Sequence, residues 1–352
     1  MNLFSKKVWT IFGGICIAIF LFTPSAAFAL KFKHIVAFGD SLSDYNNLHT
    51  YFPEDMPVAR TNGATWVMYL ADELNASLDN NAFIGAMTRE HLYNDIQLLS
   101  DSGAVPQFGL VSQVNRYLSE NNAFEPSETL FTVWIGANNL IKFGYGELGP
   151  DPAVMIGDAM VDIGFALSAL ISNGAMHIVI LTLPDIGKSP WYIDPKMNRT
   201  EEEIAGATLL ASTYNYFLLQ TVGQMMMAYP EVTFYQFDLF QIMDDIEKKN
   251  IFPNTTGSYM KLNDEGFALT ETNGPAEDYL FYDAVHPTTR AHEYFAKEVA
   301  QHVLFYGYIS QQELEEAVLA ERMKWDMKND NRIGLEEAIH ALKTCSGMTT
   351  NH

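Results

Sequence analysis

The stretch His34-Ile35-Val36-Ala37-Phe38-Gly39-Asp40-Ser41-Leu42-Ser43-Asp44 joins a short apolar run to a group of turn-forming polar residues. The apolar run is typical of a buried strand, and Gly39 with Asp40 would end that strand in a turn. In open α/β sheets, ligands bind in the crevice beyond the carboxyl ends of the parallel strands. Ser41 is therefore a candidate nucleophile at that crevice. Taken alone, Gly-Asp-Ser is more readily explained by an ordinary turn or a helix N-cap.

Strand-like and helix-like segments alternate along the rest of the chain. The patterns predict further strands at 130–135, 178–183 and 232–237, and helices at 66–74, 153–172 and 201–227. Continuous apolar strands separated by helices indicate an α/β fold with a mostly parallel sheet covered on both faces. The segment from Phe252 to Tyr279 has the Asn, Gly and Pro content of a long loop, which often shapes substrate access.

The bulk composition is that of a globular protein. The 352 residues are 48% hydrophobic and 18% charged, which is enough apolar content for a large core. We predict one catalytic domain at 30–308, because no internal repeat or low-complexity tract divides this part. The formal net charge of -22 argues against binding to nucleic acid or to an anionic membrane through bulk electrostatics.

Residues 1–29 have the layout of a secretory signal peptide. Lys6 and Lys7 precede an apolar run from Val8 to Phe22, and the small-residue site Ala27-Phe28-Ala29 follows. We therefore expect cleavage after Ala29 and a periplasmic or secreted location. An uncleaved membrane anchor is the alternative. No transmembrane span is expected after the leader.

The second candidate block is Asp283-Ala284-Val285-His286-Pro287. A hydroxyl nucleophile needs a base within hydrogen-bond reach, and an acidic group that orients the base and stabilises its protonated form. Asp283, three residues before His286, can supply that pair from one short turn. The other histidines of the nine in the chain lack such a setting, so we expect them to be solvated or satisfied in the core.

Two glycine-containing turns are candidates for binding a negatively charged oxygen. Gly136-Ala137-Asn138-Asn139 directly follows a predicted strand, and the Asn138 amide is a suitable donor to an oxyanion. Gly85 would let its backbone N–H approach a ligand closely because it has no side chain. An ordinary strand-to-helix turn is the alternative for the first of these blocks.

The four candidate segments, around Ser41, Gly85, Asn138 and His286, resemble the SGNH/GDSL hydrolase superfamily in their order and spacing along the chain. The resemblance is specifically to its longer bacterial lipolytic branch of phospholipases, lysophospholipases and acyltransferases such as glycerophospholipid:cholesterol acyltransferase. The resemblance covers roughly residues 33–305. It includes the stretches 107–114 (Gln-Phe-Gly-Leu-Val-Ser-Gln-Val) and 180–187 (Ile-Leu-Thr-Leu-Pro-Asp-Ile-Gly). It implies a flavodoxin-like three-layer α/β/α sandwich around a five-stranded parallel sheet.

The same resemblance implies roles for individual residues. Ser41 would be the nucleophile, with His286 as its base and Asp283 as the partner of that base. The N–H groups of Ser41 and Gly85 and the side-chain amide of Asn138 would form the oxyanion hole.

The chain also departs from the pattern of the lipolytic branch. Tyr45-Asn46 stands where Gly-Asn is frequent, Ile84 stands where a second glycine is common, and Asn139 occupies a position often held by Asp. None of these departures removes a catalytic group. They bear on the substrate subclass and on local loop geometry.

We predict that residues 309–352 form a small helical tail. The stretch from Asp326 to Glu337 resembles an EF-hand calcium loop. Its candidate ligands are Asp326, Asp330 and Glu337. Lys328 replaces an oxygen ligand and Asn331 replaces the turn glycine, so we interpret the tail as a packed helix-loop-helix, with a calcium site as the alternative. No other cofactor or metal is expected.

Lipid acyl esters are the leading substrate class, because the resemblance is to the lipolytic branch. Hydrolysis would proceed through an acyl-enzyme on Ser41, and an acceptor alcohol such as a sterol in place of water would make the enzyme an acyltransferase. A short-chain or carbohydrate O-acetyl esterase on the same fold is the first alternative. A non-catalytic surface-binding protein is the second, and the intact set of catalytic residues argues against it.

Overall fold

The computed structural model of the protein describes residues 32–54, 56–90, 107–120 and 123–305. The predicted leader at 1–29 and the predicted tail at 309–352 lie outside these described residues. The candidate calcium ligands in that tail, Asp326, Asp330 and Glu337, lie outside them as well.

A five-stranded sheet, with every neighbouring pair parallel, forms the centre of the fold. Its strands are β1 (His34–Gly39), β2 (Ser77–Asn80), β3 (Thr129–Trp134), β4 (His177–Leu181) and β5 (Thr233–Phe237), in the spatial order β2-β1-β3-β4-β5. The four apolar strands predicted from the sequence are confirmed. The edge strand β2 was not predicted, because Ser77-Leu78-Asp79-Asn80 contains a single apolar residue and lacks a strand pattern.

Helices connect the strands. In the described part of the chain they are α1 (Asn47–Tyr51), α2 (Trp66–Leu74), α3 (Leu110–Ser119), α4 (Ala137–Gly144), α5 (Pro152–Ser172), α6 (Pro190–Ile193), α7 (Glu201–Ala228), α8 (Leu239–Lys249) and α9 (Thr289–Phe305). The three predicted helices correspond to α2, α5 and α7. Local chemistry fixes where α7 begins: the Thr200 side chain accepts from the Glu203 N–H, and the Glu203 carboxylate accepts from the Thr200 N–H.

The helices cover both faces of the sheet. Side chains an odd number of positions apart on a strand point to opposite faces. On β3, Phe131 packs against Tyr117 of α3, whereas Trp134 packs against Trp66 of α2 and Phe295 of α9. Helices α3, α5 and α7 pack side by side, and α2 packs against α9. The predicted three-layer α/β/α sandwich is therefore confirmed.

Helix α5 is long and apolar enough to cross a membrane by length and composition, with a mean hydropathy of 1.8 over its 18-residue window. By this criterion alone, α5 differs from the expectation that no transmembrane span follows the leader. However, 56% of the window is buried, and α5 packs against α3 and α7. Most apolar residues of α5, such as Ile156, Ile163 and Leu167, are therefore part of the core of the sandwich, whereas Val161 and Phe165 are exposed.

The segment predicted as a long loop contains short strands. These are β6 (Asn254–Ser258), β7 (Met260–Leu262) and β8 (Ala268–Thr272), followed by β9 (Tyr279–Phe281). β6 pairs with β9, and β7 pairs with β8 as an antiparallel hairpin. Every residue of β8 is exposed, so backbone pairing rather than a buried apolar face holds this strand. A prediction from apolar patterning therefore misses it.

Candidate active site

Ser41, His286 and Asp283 form a hydrogen-bonded chain beyond the carboxyl end of β1. The Nε2 atom of His286 lies 2.9 Å from Ser41 Oγ. On the other side of the ring, Nδ1 lies 2.9 Å from each carboxylate oxygen of Asp283. The structure thus brings together the three residues that the sequence offered as nucleophile, base and acidic partner.

The turn that presents Ser41 is built from its neighbours. The Asp40 carbonyl accepts from the N–H groups of Ser43 and Asp44, and the Asp40 carboxylate accepts from the Leu42 N–H at 3.0 Å. A Cβ atom on Gly39 would lie only 2.5 Å from a backbone carbonyl oxygen of β3. Glycine is therefore needed directly before the turn.

A second tight turn presents His286. The Tyr282 N–H donates to the His286 carbonyl at 2.7 Å, which closes the turn. One oxygen of Asp283 also accepts from the N–H groups of Val285 and His286, at 2.9 and 2.8 Å. Burial raises the pKa of Asp283, but the His286 imidazole and these two N–H donors outweigh burial and hold the pKa below its ordinary value. Asp283 therefore stays anionic beside the imidazole.

The predicted oxyanion-hole residues lie on two loops joined by hydrogen bonds. The Asn138 side chain donates to the Ala86 carbonyl at 2.9 Å, which orients its amide. Gly85 has a left-handed backbone with φ of 81°, a conformation that glycine favours. Within the described residues, no backbone hydrogen bond uses the N–H of Ser41 or Gly85. The assignment of these two N–H groups to the oxyanion hole stays a prediction.

Two buried side chains, Asp44 and Gln113, hold this region in place, and neither was predicted from the sequence to have a role. The Asp44 carboxylate accepts from the Ile84 N–H at 2.7 Å and thereby ties the Gly85 loop to the turn of Ser41. The Gln113 side chain accepts from the Gly39 N–H and donates to the Gly39 carbonyl. Gln113 could have been noticed in the sequence, because it is a polar residue on the face of α3 that carries the apolar residues Leu110 and Val114.

Asn139 departs from the branch pattern, and its contacts account for the change. Its amide donates to Thr88 Oγ1 at 2.9 Å, and its oxygen accepts from the Thr88 N–H. The Thr88 hydroxyl donates its own proton to Asp162. An aspartate at 139 could not donate to Thr88, and it would add a second negative charge near Asp162.

The other two departures are accommodated locally. Tyr45 lies at the surface, and Asn46 has a left-handed φ of 73° directly before α1. Asparagine tolerates this conformation better than most side chains. Ile84 is buried, and its N–H is the donor to Asp44.

We also examined whether side chains near one another could bind a metal ion. In 32–54, 56–90, 107–120 and 123–305, no group of three or more His, Cys, Asp or Glu side chains is placed to hold a metal ion. The Ser41, His286 and Asp283 set offers proton transfer and nucleophilic attack from side chains alone.

Comparisons with known proteins identify a matching family and several relatives. The model of the family "GDSL-like Lipase/Acylhydrolase" matches residues 35–299. Thermolabile hemolysin of Vibrio parahaemolyticus is 25% identical over 291 residues, which cover 77% of this chain and 64% of that protein. Phosphatidylcholine-sterol acyltransferase of Aeromonas hydrophila is 27% identical over 205 residues, 55% of each chain.

Two further proteins are similar to this chain, one in sequence and one in structure. Secreted effector protein SseJ of Salmonella typhimurium is 24% identical over 281 residues, which cover 74% of this chain and 61% of that protein. Each of these alignments thus spans less than two thirds of the relative's own length. Among solved structures, an acetyl xylan esterase is 13% identical with a TM-score of 0.41, covering 76% of this chain and 98% of that chain.

Proposed function

This chain belongs to the GDSL-like lipase/acylhydrolase family and is a serine ester hydrolase, and from that premise we propose that it cleaves lipid acyl esters through an acyl-enzyme on Ser41. The observation that carries the proposal is the hydrogen-bonded chain from Ser41 through His286 to Asp283. The printed names of two relatives, a hemolysin and a phosphatidylcholine-sterol acyltransferase, support lipid as the substrate class.

The first half of the reaction forms the acyl-enzyme. Ser41 Oγ attacks the ester carbonyl carbon while Nε2 of His286 takes the hydroxyl proton, and the carbonyl electron pair moves onto oxygen. The N–H groups of Ser41 and Gly85 and the Asn138 amide donate to that oxyanion. Asp283 holds the Nδ1–H of the ring and stabilises the imidazolium that forms.

Breakdown of this tetrahedral intermediate completes the acyl-enzyme, and the second half of the reaction then releases the acyl group. The intermediate collapses, the bond to the leaving alcohol breaks, and His286 returns its proton to the leaving oxygen. Water then attacks the acyl-enzyme with His286 again as base, which gives a free fatty acid and restores Ser41. A sterol or another alcohol in the place of water would give a new ester. The name of the acyltransferase relative supports this second outcome.

Export is part of the proposal. The leader-like segment at 1–29 supports it, and the name of one relative describes a secreted protein. Residues 30–308 would then form the catalytic unit outside the cytoplasm, and the family match at 35–299 lies within that range.

The test is fatty-acid release from phospholipids, lysophospholipids and a series of p-nitrophenyl esters, with and without a sterol acceptor. Release from phospholipid or lysophospholipid that is lost in Ser41→Ala supports the proposal, and sterol ester formation would add acyl transfer. Turnover confined to acetyl and other short esters would overturn the lipid assignment and favour the carbohydrate-esterase alternative.

A further inference from the structure

The β7–β8 hairpin, residues 260–272, projects apolar side chains into solvent. Phe267 is 66% exposed and Leu269 is 43% exposed. Leu269 lies on β8, and Phe267 is in the turn directly before that strand, so the two exposed side chains are only two residues apart. They form an apolar pair on an element whose second strand is exposed along its whole length.

The hairpin is anchored on the turn that holds Asp283. The N–H of Met260, the first residue of β7, donates to the Tyr282 carbonyl at 2.8 Å. On the other side of Asp283, the Ala284 carbonyl accepts from the Trp191 N–H at 2.9 Å. The two carbonyls that flank Asp283 thus bind the root of the hairpin and the segment that carries Trp191.

Trp191 in turn supports the turn of the hairpin. A Cβ atom on Gly266 would lie 2.5 Å from Cζ3 of the Trp191 ring, so the backbone of the turn rests directly on that ring. Gly266 has a φ of 83°, which also favours glycine at this position. Lys196 adds a hydrogen bond to the Leu262 carbonyl at 3.0 Å. Phe267 therefore follows a turn that Trp191 supports, in a hairpin whose root contacts the Asp283 turn.

The charges on the hairpin restrict what it can contact. Lys261 pairs with Glu271 at 2.6 Å, which neutralises the base of the hairpin. Asp264 and Glu265 stay exposed in the turn next to Phe267. Two carboxylates would be repelled by an anionic surface, whereas the trimethylammonium group of choline complements them.

We propose that this hairpin is the surface through which the enzyme docks on aggregated phosphocholine lipid, with Phe267 and Leu269 entering the apolar layer. Asp264 and Glu265 then lie among the choline headgroups. The inference rests on the proposed function, because it takes a lipid ester as the substrate. It adds an interfacial docking element and a headgroup preference to the chemistry at Ser41.

The binding test uses the full chain with Ser41→Ala, so that lipid is not consumed, and vesicles of phosphatidylcholine. The double substitution Phe267→Ser and Leu269→Ser should weaken vesicle binding by about tenfold or more, since each loses several buried carbon groups. The matched control is Val161→Ser with Phe165→Ser on α5, whose side chains are 67% and 58% exposed. The control should bind vesicles like the parent.

A second readout separates docking from chemistry. With Ser41 intact, the hairpin substitutions should lower the ratio of turnover on vesicles to turnover on a monomeric p-nitrophenyl ester by about the same factor as binding. Vesicles of phosphatidylglycerol should bind the parent more weakly than phosphatidylcholine vesicles do. An unchanged ratio, unchanged vesicle binding, an equal loss in the α5 control, or tighter binding to phosphatidylglycerol would each overturn the inference. Failure of the unaltered enzyme to release fatty acid would instead overturn the proposed function.

Discussion

The Nε2 atom of His286 lies 2.9 Å from Ser41 Oγ, although 245 positions separate these residues in the chain. Ser41 follows β1, which lies between β2 and β3 in the sheet, and His286 lies in the turn before α9. The contact exists because the end of β1 and this turn meet at the same edge of the fold. The chemistry assigned to the pair leads to the first prediction.

Replacing Ser41 with alanine should abolish ester hydrolysis while leaving the fold intact. Loss of a serine nucleophile costs on the order of 10⁶-fold in kcat in a well-studied serine protease, so at least about 10³-fold is expected here. Burst and steady-state release of p-nitrophenol would measure the loss, and circular dichroism would check the fold. Undiminished activity would contradict the assignment of the nucleophile.

Ser43 offers a matched control in the same turn. Its Oγ accepts from Trp66 Nε1 at 2.9 Å and lies in the core. Ser43→Ala should therefore lower the free energy of unfolding by about 1–3 kcal/mol, since it leaves the indole N–H without a partner. It should retain hydrolysis at temperatures where it stays folded. Equal inactivation of the two alanine variants would mean that the turn, not the Ser41 hydroxyl, accounts for the loss.

Asp283→Asn should lower kcat by about 10³–10⁴-fold with a smaller change in KM, because the amide no longer fixes the imidazole tautomer or stabilises the imidazolium. Asp185→Asn is the matched control. Asp185 is also buried, but its carboxylate binds Gly187 N–H and Thr208 Oγ1. Retention of full activity in Asp283→Asn, or equal loss in the control, would argue against a role for Asp283 in orienting the base.

The buried Asp40 carboxyl should make stability depend on pH. Burial raises the pKa of Asp40 to about 7, from 3.8. Between about pH 4 and 7 the folded protein therefore holds a proton that the unfolded chain has released, so stability falls as pH rises through this window and levels off above it. Asp44 acts in the same direction, because burial raises its pKa to about 6.

Asp40→Asn should reduce that fall by up to about 4 kcal/mol, at about 1.4 kcal/mol for each of roughly three pKa units. The asparagine oxygen can still accept from the Leu42 N–H, so the turn is retained. Urea unfolding at a series of pH values would measure the effect. Parallel curves for the variant and the parent would show that Asp40 does not titrate in this window.

Gly136→Ala should destabilise the protein by about 2–4 kcal/mol, since the new methyl group would overlap Tyr214 and the backbone has a φ of 120°. The added Cβ would lie very close to Tyr214 Oη, which donates to the carbonyl before Gly136. Gly157→Ala in α5 is the control, since apart from its chain neighbours and the adjacent backbone of its own helix nothing lies within 4 Å of its Cβ position. It should be neutral or stabilising by up to about 1 kcal/mol. Thermal unfolding of both variants would decide.

Asn139→Asp should destabilise the protein by about 1–3 kcal/mol, because a buried donor to Thr88 is lost and a charge is added near Asp162. Asp162→Asn alone should also destabilise the protein, because it removes the ion pair with Arg89, but the loss in the double variant should be smaller than the sum of the two single losses. A double-mutant cycle on the free energies of unfolding would measure the coupling. Strict additivity of the two substitutions would contradict the proposed hydrogen-bond chain through Thr88.

The apolar patterns in the sequence were sufficient to predict four of the five strands of the central sheet and its long helices α2, α5 and α7. The apolar runs of β1, β3, β4 and β5 are confirmed as buried strands, and α2, α5 and α7 match their predicted ranges closely. Pattern failed for β2 and for the β7–β8 hairpin. β2 and β8 expose much of their length, and β7 has only three residues. Backbone pairing holds these strands, so they leave no apolar periodicity in the sequence.

By itself, the sequence determined which chemical groups are available: a serine after the first strand, an Asp-Ala-Val-His turn and an Asn on a glycine turn. Each of these signals spans only a few consecutive residues, so the local sequence alone is enough to recognise it. Tertiary structure decided the contacts between distant segments, such as His286 with Ser41, Asp44 with Ile84 and the hairpin on the Asp283 turn. Such contacts depend on how the strands are ordered in space and on which buried polar groups find partners, and neither is encoded in any one short stretch.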